Sequence, residues 1–382
     1  MMRGCILALV GLFLSAISSA APDVSVSCMM VYDEGGAPAV LESPECPHWK
    51  LYPLSHNQTK NCQFAMLQGH RKYQEDRLAC NLKLNIPSLD GVEELLVGVA
   101  AVFDGHGGKE ASEMASKNFL DYFFVHVVFN IYKQALFCNA EHNLVFEDRN
   151  KDKLGYCGSN LARSGKEFMH EILKEALLRT IHDIDTKFSV EALNKRYISG
   201  STATVALLFD GQILVANVGD SKALLCSQNI NSSLEDEGTS TTVINVEQLT
   251  RDHHPDRDDE RTRIEAAGGF IRTLGVPRVN GILAVSRSIG DVYLKRFGVS
   301  PMPEVMDWRY LSDQDTYLVV ASDGIFESIT PHTVCDLLLN ENVQVNGMPG
   351  ISSSCSSYLS LADCLVNKAL EEVHGRLTVE LF

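Results

Sequence analysis

Three times in this 382-residue chain an apolar run ends on an aspartate followed at once by a small residue. Val99–Phe103 leads into Asp104-Gly105, Leu214–Gly219 into Asp220-Ser221, and Tyr317–Ser322 into Asp323-Gly324. A carboxylate at a buried strand end is costly unless it is paired or coordinates a cation. Several meeting at one point make an all-oxygen pocket suited to Mg2+ or Mn2+ rather than zinc. Asp-Gly and Asp-Ser steps are also ordinary hairpin turns, so a single occurrence carries no chemistry. The recurrence is what favours a cation site.

The first of the three is the richest. Asp104-Gly105-His106-Gly107-Gly108 offers a carboxylate, a backbone carbonyl in a flexible stretch, and an imidazole able to protonate a leaving alkoxide near neutral pH. No Gly-Lys-Ser/Thr follows, so these glycines are not a nucleotide P-loop. Upstream, Arg71-Lys72-Tyr73-Gln74-Glu75-Asp76 sets a forked cation four residues before an acidic pair. In an extended segment Arg71 and Glu75 share a face, so one can grip phosphate while the other holds a metal or its waters. Taken alone, the same stretch reads as a surface salt-bridge segment.

The elements that must position these groups follow from periodicity. Leu95–Phe103 is a continuous apolar run of strand length, and helical patterns occupy Lys109–Lys133 and Lys166–Phe188, with a polar insertion at about 138–165 between them. Thr202–Phe209, Ile213–Asn217 and Lys222–Cys226, separated by Asp-Gly and Gly-Asp turns, read as a β-meander. Further strands are expected at Val243–Leu249 and Thr316–Ala321, and helices at Arg257–Ala267, 331–340 and 359–373. The fold class is α+β, sheets packed together with helices outside.

Composition bounds the partners. The chain holds 33 Lys+Arg against 49 Asp+Glu, a net charge of -16, which argues against nucleic acid or an anionic membrane. Residues 1–20 have the anatomy of a secretory signal: Arg3, the apolar Cys5–Ile17, and the small residues Ser18-Ser19-Ala20. The expected destination is the secretory pathway or the exterior. The alternatives are an uncleaved anchor, or a cytoplasmic chain whose leader is unused. No later stretch is long and apolar enough to span a membrane. Residues 21–61, with five prolines, read as an irregular extension. The eleven cysteines form no CxxC pair, which argues against zinc; Cys28, Cys46 and Cys62 are the expected bridge formers. Sequons stand at Asn57 and Asn231.

Seven segments, in order, resemble the motifs of type 2C protein phosphatases: Cys62–Cys80, Val102–Gly108, Ser199–Thr204, Ala216–Ala223, Leu249–Gly269, Val279–Asp291 and Val320–Gly324. The resemblance implies a catalytic domain over 62–374 built as a two-sheet antiparallel β-sandwich flanked by pairs of helices, four layers in all. It implies metal-dependent hydrolysis of phosphoserine and phosphothreonine in proteins by a monomer carrying two Mn2+ or Mg2+ ions and a bridging hydroxide. Carried over by position, Asp104 bridges the ions, Glu75 and the Gly105 carbonyl complete the shell of one, and Asp323 holds the other. Arg71 binds the substrate phosphate and His106 is the general acid. Asp220 matches a weaker third metal position, and Asp76 and Asp291 are candidates to stand behind the ligands. The family's late Gly-Ser-x-Asp-Asn segment has no match after Asp323, where a short tail, 375–382, takes its place. That departure leads us to expect a chain cut short, and keeps two alternatives open: an impaired relative that binds partners, or a two-metal hydrolase of small phosphate esters.

Overall fold

Apolar runs punctuated by glycine turns become strands in the computed structural model, which describes residues 62–69, 71–87, 94–145, 155–231, 241–344, 355 and 358–379. The leader, the extension before Cys62, and with them Cys28, Cys46 and Asn57, lie outside the described residues. The described residues divide into two compact units, one drawn from Lys83–Val97 and Lys117–Lys187, the other from His56–Leu82, Gly98–Ser116 and Phe188–Phe382.

The first unit is dominated by two long helices, α1 (Glu110–Val145) and α2 (Gly155–Lys195). Leu173, Leu177, Ile181 and Ile184 recur at helical spacing and are all buried. Phe119 and Phe123 stack with ring centroids 6.2 Å apart. His126 Nε2 meets Asp183 Oδ2 at 2.8 Å and ties α1 to α2. Both helices run further than their apolar periodicity, reaching into the polar stretch at 138–165 from either side. Once a helix is nucleated each added residue gains a hydrogen bond, so extension does not require an apolar face.

In chain order the strands are β1 (Arg77–Pro87), β2 (Glu94–Phe103), β3 (Gly105–His106), β4 (Gly200–Ser201), β5 (Ala203–Phe209), β6 (Gln212–Val218), β7 (Lys222–Asn231) and β8 (Thr241–Gln248). There follow β9 (Ile271–Leu274), β10 (Val276–Val279), β11 (Ile289–Gly290), β12 (Glu304–Val305), β13 (Arg309–Tyr310) and β14 (Asp315–Ala321). The larger sheet has the order β1-β2-β5-β6-β12, with β13 also on β6; a second is β14-β7-β8. Antiparallel sheets with helices make this an α+β fold.

Within the second unit, two sheets face each other. Ala206, Ile213 and Val215 bury against Ala223, Leu225 and Leu249, with Leu318 and Val320 at the margin. Cys226, of the other parity on β7, points instead into a cluster with Val334, Cys335, Leu338 and Leu339 of helix α6 (Pro331–Gln344) and Leu365 and Ala369 of helix α7 (Leu361–Val379). Fully burying one such aliphatic side chain stabilises the fold by roughly 1.5–3 kcal/mol. The meander expected over 202–226 is therefore corrected. β5 and β6 pair as a hairpin, but β7 pairs with β14 and β8, so the chain changes sheet at Gly219-Asp220-Ser221.

Candidate metal centre

That change of sheet is what aims Asp220. Gly219 has φ +103°, and a Cβ on it would stand 2.5 Å from Thr202 Cγ2, so the turn closes only around glycine. Asn217 braces it: its Nδ2 donates to the carbonyls of Gly219 and Arg251, each at 3.0 Å, and its Oδ1 accepts from Thr204 Oγ1 at 2.6 Å. Asp104, at the end of β2, is clamped to Thr202. Its N–H donates to Thr202 Oγ1 at 3.0 Å and its carbonyl accepts from the Thr202 N–H at 2.9 Å. Thr202 Oγ1 in turn lies 2.8 Å from Ser221 Oγ, so one buried threonine joins two of the aspartate turns. Asp323 opens the short helix α5 (Asp323–Phe326, placed in chain order after α3, Asp258–Ala266, and α4, Val292–Lys295) directly behind β14.

One carboxylate oxygen from each of Asp104, Asp220 and Asp323 lies within 4.8 Å of the others. Burial pushes the Asp104 carboxyl well above its ordinary pKa, and the negative charges of Asp76, Asp323 and Asp220 push the same way. Burial and Asp323 raise Asp220 to about 6. Asp76, just before β1, is also raised, by burial; it hydrogen-bonds Asp104 and accepts from Ser322 Oγ at 3.1 Å. Like charges held this close need protons or cations between them. The donors are all hard oxygens, so the residues present fit a divalent cation of the Mg2+/Mn2+ type.

Around this trio stand the other groups singled out in the sequence. Glu75 is not one of the three; its Oε1 accepts the Gly108 N–H at 2.8 Å, and its charge helps raise the pKa of His106. Its backbone carbonyl accepts from Ser112 Oγ, and a Cβ on Gly105 would lie 2.5 Å from that same carbonyl oxygen. The Glu75 and Gly105 backbones thus touch because residue 105 has no side chain. Arg71 is exposed, and its charge lowers the proton affinity of Asp76 and of Glu327. Glu327 is not among the residues the sequence singles out. The available signal was its place four residues beyond Asp323, one helical turn away.

His106 is reached through a small sheet of order β11-β4-β3. His106 lies opposite Gly200, and Gly200 opposite Gly290, so the next residue, Asp291, arrives beside the imidazole. His106 Nε2 and Asp291 Oδ2 are 2.7 Å apart. Burial alone would lower the histidine's pKa; the Asp291 carboxylate outweighs it and the net shift is upward.

The chain also holds Cys157 and Arg163 at the Cys-x5-Arg spacing of cysteine-dependent phosphatases. Both fall inside α2. From residue 159 onward the helical N–H groups are bonded to carbonyls four residues back, so the segment between Cys157 and Arg163 is not the open loop of backbone donors that such a nucleophile uses.

The sequence pattern of the family described as "Protein phosphatase 2C" matches residues 132–372. A rice (Oryza sativa subsp. japonica) chain named "Putative protein phosphatase 2C 76" is 42% identical over 97% of this chain and 87% of its own. An Arabidopsis thaliana chain named "Probable protein phosphatase 2C 51" is 43% identical over 91% of this chain and 76% of its own. This chain belongs to the protein phosphatase 2C family. Its members are metal-dependent protein serine/threonine phosphatases, and the carboxylate trio is a cluster that could hold such a metal. Both plant relatives align over more of the chain than the family pattern, which begins beyond His106. The fold agrees: a solved serine-threonine phosphatase 2C from Toxoplasma gondii superposes with a TM-score of 0.55 at 20% identity, over 81% of this chain and 88% of its own. Among the described residues no helix is long and apolar enough to cross a membrane.

Proposed function

We propose that this phosphatase removes phosphate from serine and threonine side chains of proteins with Mn2+ or Mg2+ held by Asp104, Asp323 and Asp220, Glu75 and the Gly105 carbonyl lying on the side of Asp104. The observation that carries the reading is the trio of mutually repelling carboxylates beside an Asp-backed histidine. When bound, divalent cations would lower the pKa of a water and offset the charge of the phosphoryl oxygens. The protein's own groups divide the rest. Arg71, exposed before Glu75, presents a planar fork to phosphate oxygens. His106 gives its proton to the departing serine or threonine oxygen, which is a poor leaving group without it. Asp76 and Ser322 hold the Asp104 carboxylate in place from behind.

The same reading extends to where the chain works. The apolar leader and three disulfides, Cys62–Cys80, Cys226–Cys335 and Cys355–Cys364, support folding in an oxidising, secretory compartment. The expectation that Cys62 is bridged is met by Cys80 as its partner.

The test is Mn2+-dependent phosphate release from a phosphothreonine peptide, with Asp104→Asn as control. The wild-type chain should turn over and stop on chelation, and the variant should lose at least about 100-fold in kcat. A folded wild-type chain with no turnover overturns the catalytic reading.

A further inference from the structure

Asp291 is 7% exposed, and His106 is its ion-pair partner among the described residues. Its backbone sits at φ +47°, ψ +43°, a left-handed conformation that Asp, like Asn, adopts more readily than most side chains. The surroundings maintain it from several sides. The Asp291 N–H donates to the Ser199 carbonyl at 3.2 Å, its carbonyl accepts the Leu294 N–H at 2.8 Å, and Lys295 Nζ donates to the Ser288 carbonyl at 2.7 Å. Two glycines make the approach possible. A Cβ on Gly200 would lie 2.0 Å from Asp291 Oδ2 and 2.5 Å from His106 Nε2, and one on Gly290 would lie 2.6 Å from the Ser199 carbonyl oxygen.

We propose that Asp291 is the positioning residue for His106, holding its Nε2 so that Nδ1 is the atom that delivers the proton to the leaving oxygen. This rests on the acid role given to His106 above. In the step, the Nδ1 proton passes to the serine or threonine oxygen as its bond to phosphorus breaks and the water oxygen completes the new one. Nε2–H stays on Asp291 throughout, so the ring cannot rotate toward an unproductive geometry. A carboxylate at that position contributes by orientation, and removing such a supporting partner typically costs about 10–100-fold.

The experiment compares two substrates in the full chain. A phosphothreonine peptide needs its leaving oxygen protonated; p-nitrophenyl phosphate leaves as a stable phenolate and hardly does. Asp291→Asn and Asp291→Gly both tolerate the left-handed backbone, so each should fold. Peptide turnover should fall about 10–100-fold in both, and the loss with p-nitrophenyl phosphate should be at least about tenfold smaller. In a His106→Ala background the Asp291→Asn loss on peptide should vanish, because residues acting through one another are not additive. Equal losses on both substrates, or a full Asp291 loss that persists without His106, overturn the proposal. Imidazole 15N spectra give a readout apart from turnover. A proton on Nε2 that is lost or shifted in Asp291→Asn supports the pairing, and an unprotonated Nε2 in the wild type overturns it. A wild type inactive on both substrates would overturn the catalytic role, and the spectra would still decide the pairing.

Discussion

At the scale of single residues the site depends on places where a side chain is missing. Gly200 lets Asp291 reach His106, and Gly105 lets the Glu75 carbonyl and the Ser112 hydroxyl approach its backbone; a Cβ added at either would meet its nearest neighbour at only 2.0 Å and 2.5 Å respectively. Gly200→Ala should therefore lower peptide turnover at least about tenfold by prising Asp291 from His106, a loss of the size set by a displaced supporting group. Overpacking adds a stability loss of roughly 1–3 kcal/mol. Gly324→Ala is the contrast: it has open space around it and an ordinary φ, so its melting temperature should stay where it is. Calorimetry beside peptide kinetics on the two variants checks this. Equal behaviour of the two would mean that contact at Gly200 is not what limits the site. The three aspartates were readable from the sequence because each ends a strong apolar strand. The pairing of His106 with Asp291, 185 residues apart, was not readable. It is made by two-residue strands, which carry no periodic signal, and by glycine register.

At the scale of elements, the segment that ends in Asp291 is anchored by α3. Glu260 on that helix is fully buried and receives Arg263 Nη1 at 2.8 Å, Arg287 Nη2 at 2.7 Å, Arg257 Nη2 at 3.3 Å and the Ser286 hydroxyl. Burial alone would raise its pKa; these partners overcome that and hold it far below the ordinary carboxylate range. His253, whose backbone carbonyl accepts the Ser286 N–H at 2.8 Å, is pushed down to about 4 by burial and by Arg287. The signs agree. A histidine depressed in the folded state costs stability once the unfolded chain begins to take up its proton, from about pH 6.5 downward. That loss is complete near the folded value of about 4. Glu260, also depressed, is fully stabilising above its unfolded pKa of about 4.3 and loses that contribution as pH falls below it. His253 should thus lower the melting temperature between about pH 6.5 and 4, while Asp220 and Asp104, both raised in the folded state, act in the opposite direction over the same range. The difference between wild type and His253→Asn is therefore the quantity that isolates the histidine, and it should grow as pH falls. Glu260→Gln should cost about 3–5 kcal/mol in urea unfolding at pH 7, because it leaves the half-buried Arg263 and Arg287 without the carboxylate they share, while Arg257 keeps Asp259 and Glu304. A cost under about 1 kcal/mol would mean that the hub is not what holds the segment. The sequence showed α3 as a charged helix stopped by Gly268-Gly269, but it did not show that Glu260 lies inside, since an acidic helix face normally means solvent.

At the scale of the whole molecule, two of the disulfides among the described residues, Cys62–Cys80 and Cys226–Cys335, differ in what they protect. Cys226 and Cys335 are both fully buried and close a loop between residues 109 apart, tying β7 to α6. A cross-link over a loop of that length limits the unfolded chain by roughly 4–5 kcal/mol in the chain-entropy account. Cys62–Cys80 is half-buried and encloses the segment that carries Arg71, Glu75 and Asp76. A mild reductant should therefore open Cys62–Cys80 before Cys226–Cys335, since the latter is accessible only after local unfolding. The first event should reduce peptide turnover with little change in melting temperature, because the freed segment holds Arg71 and Glu75, to which the proposed function gives the phosphate and cation roles. The second should lower the melting temperature sharply. Alkylation mass mapping during a reductant titration, read beside activity and Tm, separates the two steps. Paired Ser variants give the same order without a reductant: Cys62→Ser with Cys80→Ser costs turnover, and Cys226→Ser with Cys335→Ser costs stability. If instead the chain purified from its own cells carries all six thiols reduced at full activity, the bridges are not part of the working enzyme. The case for an oxidising compartment would then rest on the leader alone.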